Sequence, residues 1–66
     1  MQIVDKALDD ASLAGLAVLR IIHGKGTGAL RKMTHEVLAA DRRVRRFAFA
    51  AANQGGAGVT VAELTA

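Results

Sequence analysis

Sixty-six residues allow one domain with a single small core, and a chain this short buries only about 60% of the surface its unfolded form exposes. The absence of cysteine excludes a disulfide framework and a thiolate zinc site and fits a reducing cytosol. No apolar run approaches the roughly 20 residues that span a bilayer, and the first residues lack the basic start and long apolar stretch of a signal peptide, so a cytoplasmic protein is expected. Nine Lys and Arg against six Asp and Glu give a net charge of +3, with Asp5, Asp9 and Asp10 early and the bases later. This segregation points to an anionic partner, the alternative being ordinary solubilising charge.

Val4, Ala7, Leu8 and Ala11 recur at i, i+3, i+4 and i+7 opposite Asp5, Lys6, Asp9 and Asp10, which predicts an amphipathic helix with Gly15 as its C-cap. Val18 to His23 is almost continuously apolar and rich in β-branched residues, the pattern of a strand covered on both faces and central to a sheet, with Arg20 the one discord. Leu30, Met33, Val37 and Leu38 repeat at helical spacing, giving a second helix from about Thr27 or Gly28 to Ala40, with Thr27 as N-cap. On that helix His35 is placed facing solvent. Arg45, Phe47 and Phe49 alternate with Arg46, Ala48 and Ala50, and Val59 to Leu64 is a second β-prone run. The two read as antiparallel strands joined through Asn53 to Gly58, a turn-forming connection too long for a two-residue hairpin. The order helix, strand, helix, strand, strand predicts an α+β two-layer sandwich with a mixed sheet. A doubly buried strand in so small a sheet lacks neighbours, so we expect a preceding strand to be missing and the chain to be an N-terminally truncated domain spanning residues 1–66.

The chemistry concentrates in His23-Gly24-Lys25-Gly26-Thr27-Gly28, where a strand runs into a basic helix. Three glycines at alternate positions let the backbone adopt positive φ and approach a bound group closely, and the following helix turns its unpaired N–H groups toward the same space. Such a loop suits a phosphate. Gly24, Gly26 and Ala29 also satisfy the dinucleotide pattern G-x-G-x-x-A, but Val44 stands where the ribose-binding acid would be and no further βαβ units follow. A P-loop is excluded because no Gly-Lys-Ser/Thr triplet ends the loop.

Lys25, Arg31 and Lys32 surround the loop and can add charge-assisted contacts to an anion. His23 can serve as general base, general acid or phosphate donor, or as a structural hydrogen-bonding residue. His23 and His35 do not by themselves make a metal site. Phe47 and Phe49 read as core and no Tyr or Trp is present, so binding is expected to follow the backbone and to depend on salt rather than on base stacking.

His23 to Arg31, followed some 25 residues later by Gly55-Gly56-Ala57-Gly58-Val59-Thr60-Val61-Ala62-Glu63-Leu64, resembles the Smr (small MutS-related) domain over nearly the whole chain. It looks closest to the Smr domain at the C-terminus of the second-type MutS-like proteins of bacteria, where an HGxGxG loop and a terminal GGxGVTVxEL segment occur together. The resemblance implies the order β-α-β-α-β-β, like the C-terminal domain of translation initiation factor 3. It also implies nicking endonuclease or ribonuclease activity, and parent proteins concerned with recombination and with stalled ribosomes. On this resemblance His23 maps onto the family's catalytic position, Gly24 to Gly28 onto its nucleic-acid loop, and Gly55, Gly56 and Gly58 onto the neighbouring glycine turn. The family's opening Leu-Asp-x-Arg/His-Gly strand has no counterpart in these residues, and none of the six acids stands obviously beside the loop.

The expected function is therefore an endonuclease that grips DNA or RNA backbone and moves a proton through His23. A divalent cation, Mg²⁺ or Mn²⁺, is the cofactor to consider, and no organic cofactor is expected. The alternatives are a nucleic-acid- or ribosome-binding module without turnover, and an interaction module that forms a homodimer through an exposed sheet edge.

Overall fold

The apolar spacing of the first segment produces a helix, α1, over Gln2–Leu13, and it buries Val4, Leu8 and Ala11 as that spacing requires. Its end is a Schellman arrangement: the Leu16 N–H donates to Ala11 O at 3.0 Å and the Gly15 N–H to Ser12 O at 3.1 Å, with Gly15 at φ 71°. The chain then enters β1 (Val18–Ile22), crosses through the glycine loop to α2 (Ala29–Ala40), and returns in β2 (Val44–Phe49) and β3 (Val59–Leu64). This computed structural model describes residues 2–26 and 28–65; Thr27, expected as an N-cap and loop residue, lies outside them. Among the described residues no helix is long and apolar enough to cross a membrane.

The α+β sandwich and the element order are as expected, but the sheet differs from the sequence reading in two respects. Its strand order is β1-β3-β2, and both pairings are antiparallel where a mixed sheet was expected. The strand at the centre is β3, so β1 is an edge. Leu19 and Ile21 turn inward beside Ala62 and Thr60, whereas Val18, Arg20 and Ile22 alternate onto the opposite face, where Val18 is 48% and Ile22 79% exposed. A run apolar but for Arg20 thus comes from one core face and one largely apolar outer face, which periodicity alone does not separate from a doubly covered strand. Arg20 has a task there: its guanidinium donates to Gln54 O at 3.1 Å and ties the sheet to the β2–β3 connection.

That connection is two successive 3₁₀ turns, Ala52–Gln54 and Gly56–Gly58, between the Ala50 N–H, which donates to Val59 O at 2.9 Å, and the start of β3. At the junction of the turns Gly55 has φ 111°, and a Cβ there would run into the Val59 side chain. Strand β2 carries a bulge between Val44 and Arg46: Val44 pairs with Leu64, yet Arg46 pairs with Glu63. The extra residue, Arg45, is exposed instead of sharing the face of Phe47, and Val44 takes the inward place.

Both helices cover one face of the sheet, enclosing Val4, Leu8, Ala11, Leu38, Ala62 and Leu64, with Leu19, Ile21, Val37, Val44 and Phe47 packed around them. The inward face of α2 is shifted from the expected one. Thr34 and Leu38 are buried, while Leu30 and Met33 are about half exposed. At the end of α2 the Asp41 carboxylate accepts the Arg43 backbone N–H at 2.8 Å and the Arg43 guanidinium at 2.8 and 3.0 Å. Arg43 also reaches Asp9 at 3.3 Å and Asp5 at 3.5 Å on α1. The early acids therefore face a late arginine, and this arginine is committed to the fold.

Two outcomes follow. The Thr34 hydroxyl is buried with no hydrogen-bond partner among the described residues, so Thr34→Val, which keeps the shape, should raise the unfolding free energy by about 1 kcal/mol in urea titrations. Hydrogen bonds from Arg43 hold the Asp41 carboxyl below its ordinary pKa, so its stabilisation is present at neutral pH and is lost as pH falls through that lowered value. Asp41→Asn should lower the thermal midpoint at neutral pH, and the gap to wild type should close on acidification.

Candidate nucleic-acid site

The site forms where β1 stops and α2 begins. Gly24, Gly26 and Gly28 all have positive φ, as the alternating glycines require. Gly28, at φ 85°, is the N-cap of α2, and its carbonyl accepts the Lys32 N–H at 2.9 Å. The loop is anchored from β3: Gly58 O accepts the N–H groups of both His23, at 3.1 Å, and Gly24, at 2.9 Å. A Cβ on Gly58 would stand 3.6 Å from the Gly24 backbone, so the second glycine segment packs directly against the first.

The result is a cleft of about 260 Å³ lined by His23, Gly24, Lys25, Gly26, Gly28, Ala29, Leu30 and Arg31. It combines an imidazole, two long cations and the positive end of a 12-residue helix, and among the described residues no carboxylate lines it. Of the residues singled out in the sequence, Lys32 lies one turn into α2 and is exposed, outside the lining. Gly55 and Gly56 shape the β2–β3 connection and do not line the cleft, whereas Gly58 packs against Gly24 of the loop.

His35 is not solvent-facing. It is half-buried, its ring centroid 4.9 Å from that of Phe47 and 5.1 Å from that of Phe49. Its Nε2 lies 2.8 Å from Thr60 Oγ1, and His23 Nε2 lies 2.7 Å from the same oxygen. The two rings meet edge to face with centroids 6.1 Å apart. Arg31 crosses above Phe49, its guanidinium carbon 5.9 Å from the ring centre, so Phe49, expected in the core, is instead 47% exposed and packs against Arg31 and His35. Sequence reasoning missed Thr60 and misplaced His35. The signals were a hydroxyl at an inward position of β3, in step with Ala62 and Leu64, and a histidine four residues after Arg31 and three before Leu38.

Burial lowers the pKa of His35 below the ordinary histidine value, and repulsion from His23 and Arg31 lowers it further. Hard cations such as Mg²⁺ and Mn²⁺ take oxygen ligands. Among the described residues no three His, Cys, Asp or Glu side chains gather in a metal-binding set, so the residues present do not fit such an ion.

The fold and cleft define an α+β domain that presents an imidazole and cations to an anion at a helix N-terminus. The Smr domain family profile matches residues 1–65, and the chain belongs to that family. Over 61 residues it is 62% identical to a protein named Endonuclease MutS2 of Symbiobacterium thermophilum, a match covering 92% of this chain and 8% of that protein. A protein of the same name in Leuconostoc citreum is 56% identical over 62 residues, 94% of this chain and again 8% of the relative. The chain thus spans about 8% of the length of these curated relatives. The crystal structure of the Smr domain of Thermus thermophilus MutS2 superimposes with a TM-score of 0.94 at 52% identity, covering 96% of this chain and 79% of that one.

Since the lowered pKa of His35 opposes protonation in the fold, the unfolded chain takes up the proton first as pH falls from neutrality. Stability should decline from the ordinary histidine range down through the lowered pKa and then level. Thermal midpoints recorded across this window should show a shallower decline for His35→Gln than for wild type.

Proposed function

We propose that this domain is an endonuclease module that binds the phosphodiester backbone of nucleic acid in the cleft between His23 and Arg31 and hydrolyses it. The observation that carries this reading is the convergence of one imidazole, Lys25, Arg31 and the α2 N-terminus on a single cleft that no carboxylate among the described residues lines. A phosphate meets the favourable fields of Lys25, Arg31 and the helix N-terminus there, with no opposing charge among the described lining residues. The 62% identity to a protein named an endonuclease supports the same reading.

Gly24 to Gly28 admit the backbone phosphate closely, Lys25 and Arg31 pair with its oxygens, and Lys32 adds charge from the next turn of α2. His23 moves a proton during the displacement, in which a water oxygen bonds to phosphorus and the ester P–O bond breaks. The contacts are to phosphate and sugar, so affinity should be weakly dependent on sequence and strongly dependent on salt. No step is routed through a metal, and Mg²⁺, Mn²⁺ and EDTA are arms of the assay.

Nicking of supercoiled plasmid and cleavage of a structured RNA, measured with binding over a salt series, test this. His23→Ala should reduce the cleavage rate by about 10²–10⁴-fold while retaining the complex. Lys25→Ala or Arg31→Ala should weaken binding on all sequences and lower the slope of log affinity against log salt by about one. Cleavage by His23→Ala at the wild-type rate would remove the proton-transfer role. Salt-dependent binding with no cleavage by either protein in any arm would make this a binding module instead.

A further inference from the structure

We infer that Thr60 and His35 are positioning residues for His23: they hold the Nε2 side of its ring inside the protein, so that Nδ1 is the atom offered to an anion in the cleft. The inference deepens the reading of the cleft as a phosphodiester site and rests on it.

The two nitrogens of His23 have unlike partners. Nδ1 lies 2.8 Å from the carbonyl oxygen of Gly24, its own neighbour in the cleft wall, and this contact is at the surface. Nε2 lies 2.7 Å from the hydroxyl of Thr60, a residue with no exposed area. A carbonyl oxygen only accepts, so Nδ1 carries a proton and donates it to Gly24. An anionic phosphate oxygen is a stronger acceptor than a carbonyl and can take over that donor without disturbing the buried side.

Proton bookkeeping on the buried side is strict because Thr60 has one hydroxyl proton to donate. With His23 neutral, Thr60 donates to His23 Nε2, and the Thr60 oxygen accepts from His35 Nε2–H. With His23 cationic, its Nε2–H donates to the Thr60 oxygen, and the Thr60 hydroxyl turns to a bare Nε2 on His35. If both rings were cationic, two N–H groups would point at one oxygen and the hydroxyl proton would lose both of its acceptors. The network therefore holds at most one positive charge, and the surroundings of His35 oppose its being there. His35 is enclosed by the Phe47 and Phe49 rings from β2, by Thr60 from β3, and by Arg31 on its own helix.

In the cleavage step the cationic form gives its Nδ1 proton to the departing ester oxygen. The water oxygen bonds to phosphorus, the P–O bond breaks, the water proton passes to solvent, and His23 is left transiently neutral with Nε2–H still bonded to Thr60, until Nδ1 takes a proton from solvent again. Neither Thr60 nor His35 has to reorient. They touch no substrate and act only through His23.

The test is ¹H–¹⁵N spectroscopy of the imidazole nitrogens in the whole chain, free of nucleic acid, for wild type, Thr60→Val, Thr60→Ser and His35→Leu. Amide dispersion reports that each variant is folded. Neutral His23 should be the Nδ1–H tautomer in wild type and in Thr60→Ser. In Thr60→Val the ratio of Nδ1–H to Nε2–H should fall about fivefold, the worth of one hydrogen bond, and His35→Leu should move it in the same direction. An unchanged tautomer ratio in Thr60→Val would overturn the inference, and an unchanged ratio in His35→Leu alone would remove His35 from it. Because the ratio is read without substrate, a chain that fails to cleave leaves this result decisive, and the failure then counts against the endonuclease reading only.

Discussion

The register of β3 against both of its neighbours is the constraint on which the rest of this domain depends. Thr60 pairs with Ile21 on one side and Phe49 on the other, Ala62 with Leu19 and Phe47, and Leu64 with Val44 on β2. These rows place Thr60, Ala62 and Leu64 under the helices. A slip of one residue would turn all three to the outer face and bring Val61 and Glu63 inward. The same register that builds the core thus sets the Thr60 hydroxyl between α2 and the loop after β1. Core and site cannot be varied separately along this strand.

Charge is divided between the two ends of the sandwich in a comparable way. Asp5, Asp9 and Asp41 converge on Arg43 at the far end of α2, and Glu63 pairs with Arg46 across the outer face of the sheet. The exposed pairs with Asp5, Asp9 and Glu63 contribute little to stability singly, whereas the partly buried Asp41 anchors Arg43 in a network. Their larger consequence is location. Four of the acids are held away from the cleft, so a modest net charge becomes a local positive field around Lys25 and Arg31.

How much of this was legible depended on whether the determining physics was local. The spacing in α1, its stop at Gly15, the alternating glycines and the strand-to-helix junction at His23 are decided within a few residues, and all were readable. The place of β1 in the sheet was not, because an edge strand with an apolar outer face has the same composition as a buried one. The bulge at Arg45 is a property of pairing with β3 and leaves no mark in an alternating pattern. It displaced Arg45 from the face predicted for it and gave that place to Val44. On α2 the apolar positions pointed to Leu30 and Met33, whereas the buried line runs through Thr34 and Leu38 because β2 and the cleft claim the flank carrying Arg31 and His35. The His23–Thr60–His35 arrangement joins three elements separated by 12 to 37 residues in sequence. Only the fold shows which hydroxyl two histidines share.

This arrangement differs from the familiar way of orienting a histidine, in which a buried carboxylate accepts from one ring nitrogen and stabilises the imidazolium that forms. Here the buried partner is a neutral hydroxyl backed by a second, neutral ring. Less stabilisation of the cation is available from such a partner, but the reason for it lies in the cleft. A carboxylate roughly 6 Å from a bound phosphate would repel it by about 3 kcal/mol at an effective dielectric constant of 20, a loss of more than a hundredfold in affinity. A hydroxyl and a neutral imidazole fix the ring without that repulsion. On the reading proposed above, the ring that would donate the proton is held in place without introducing a charge that opposes the anion.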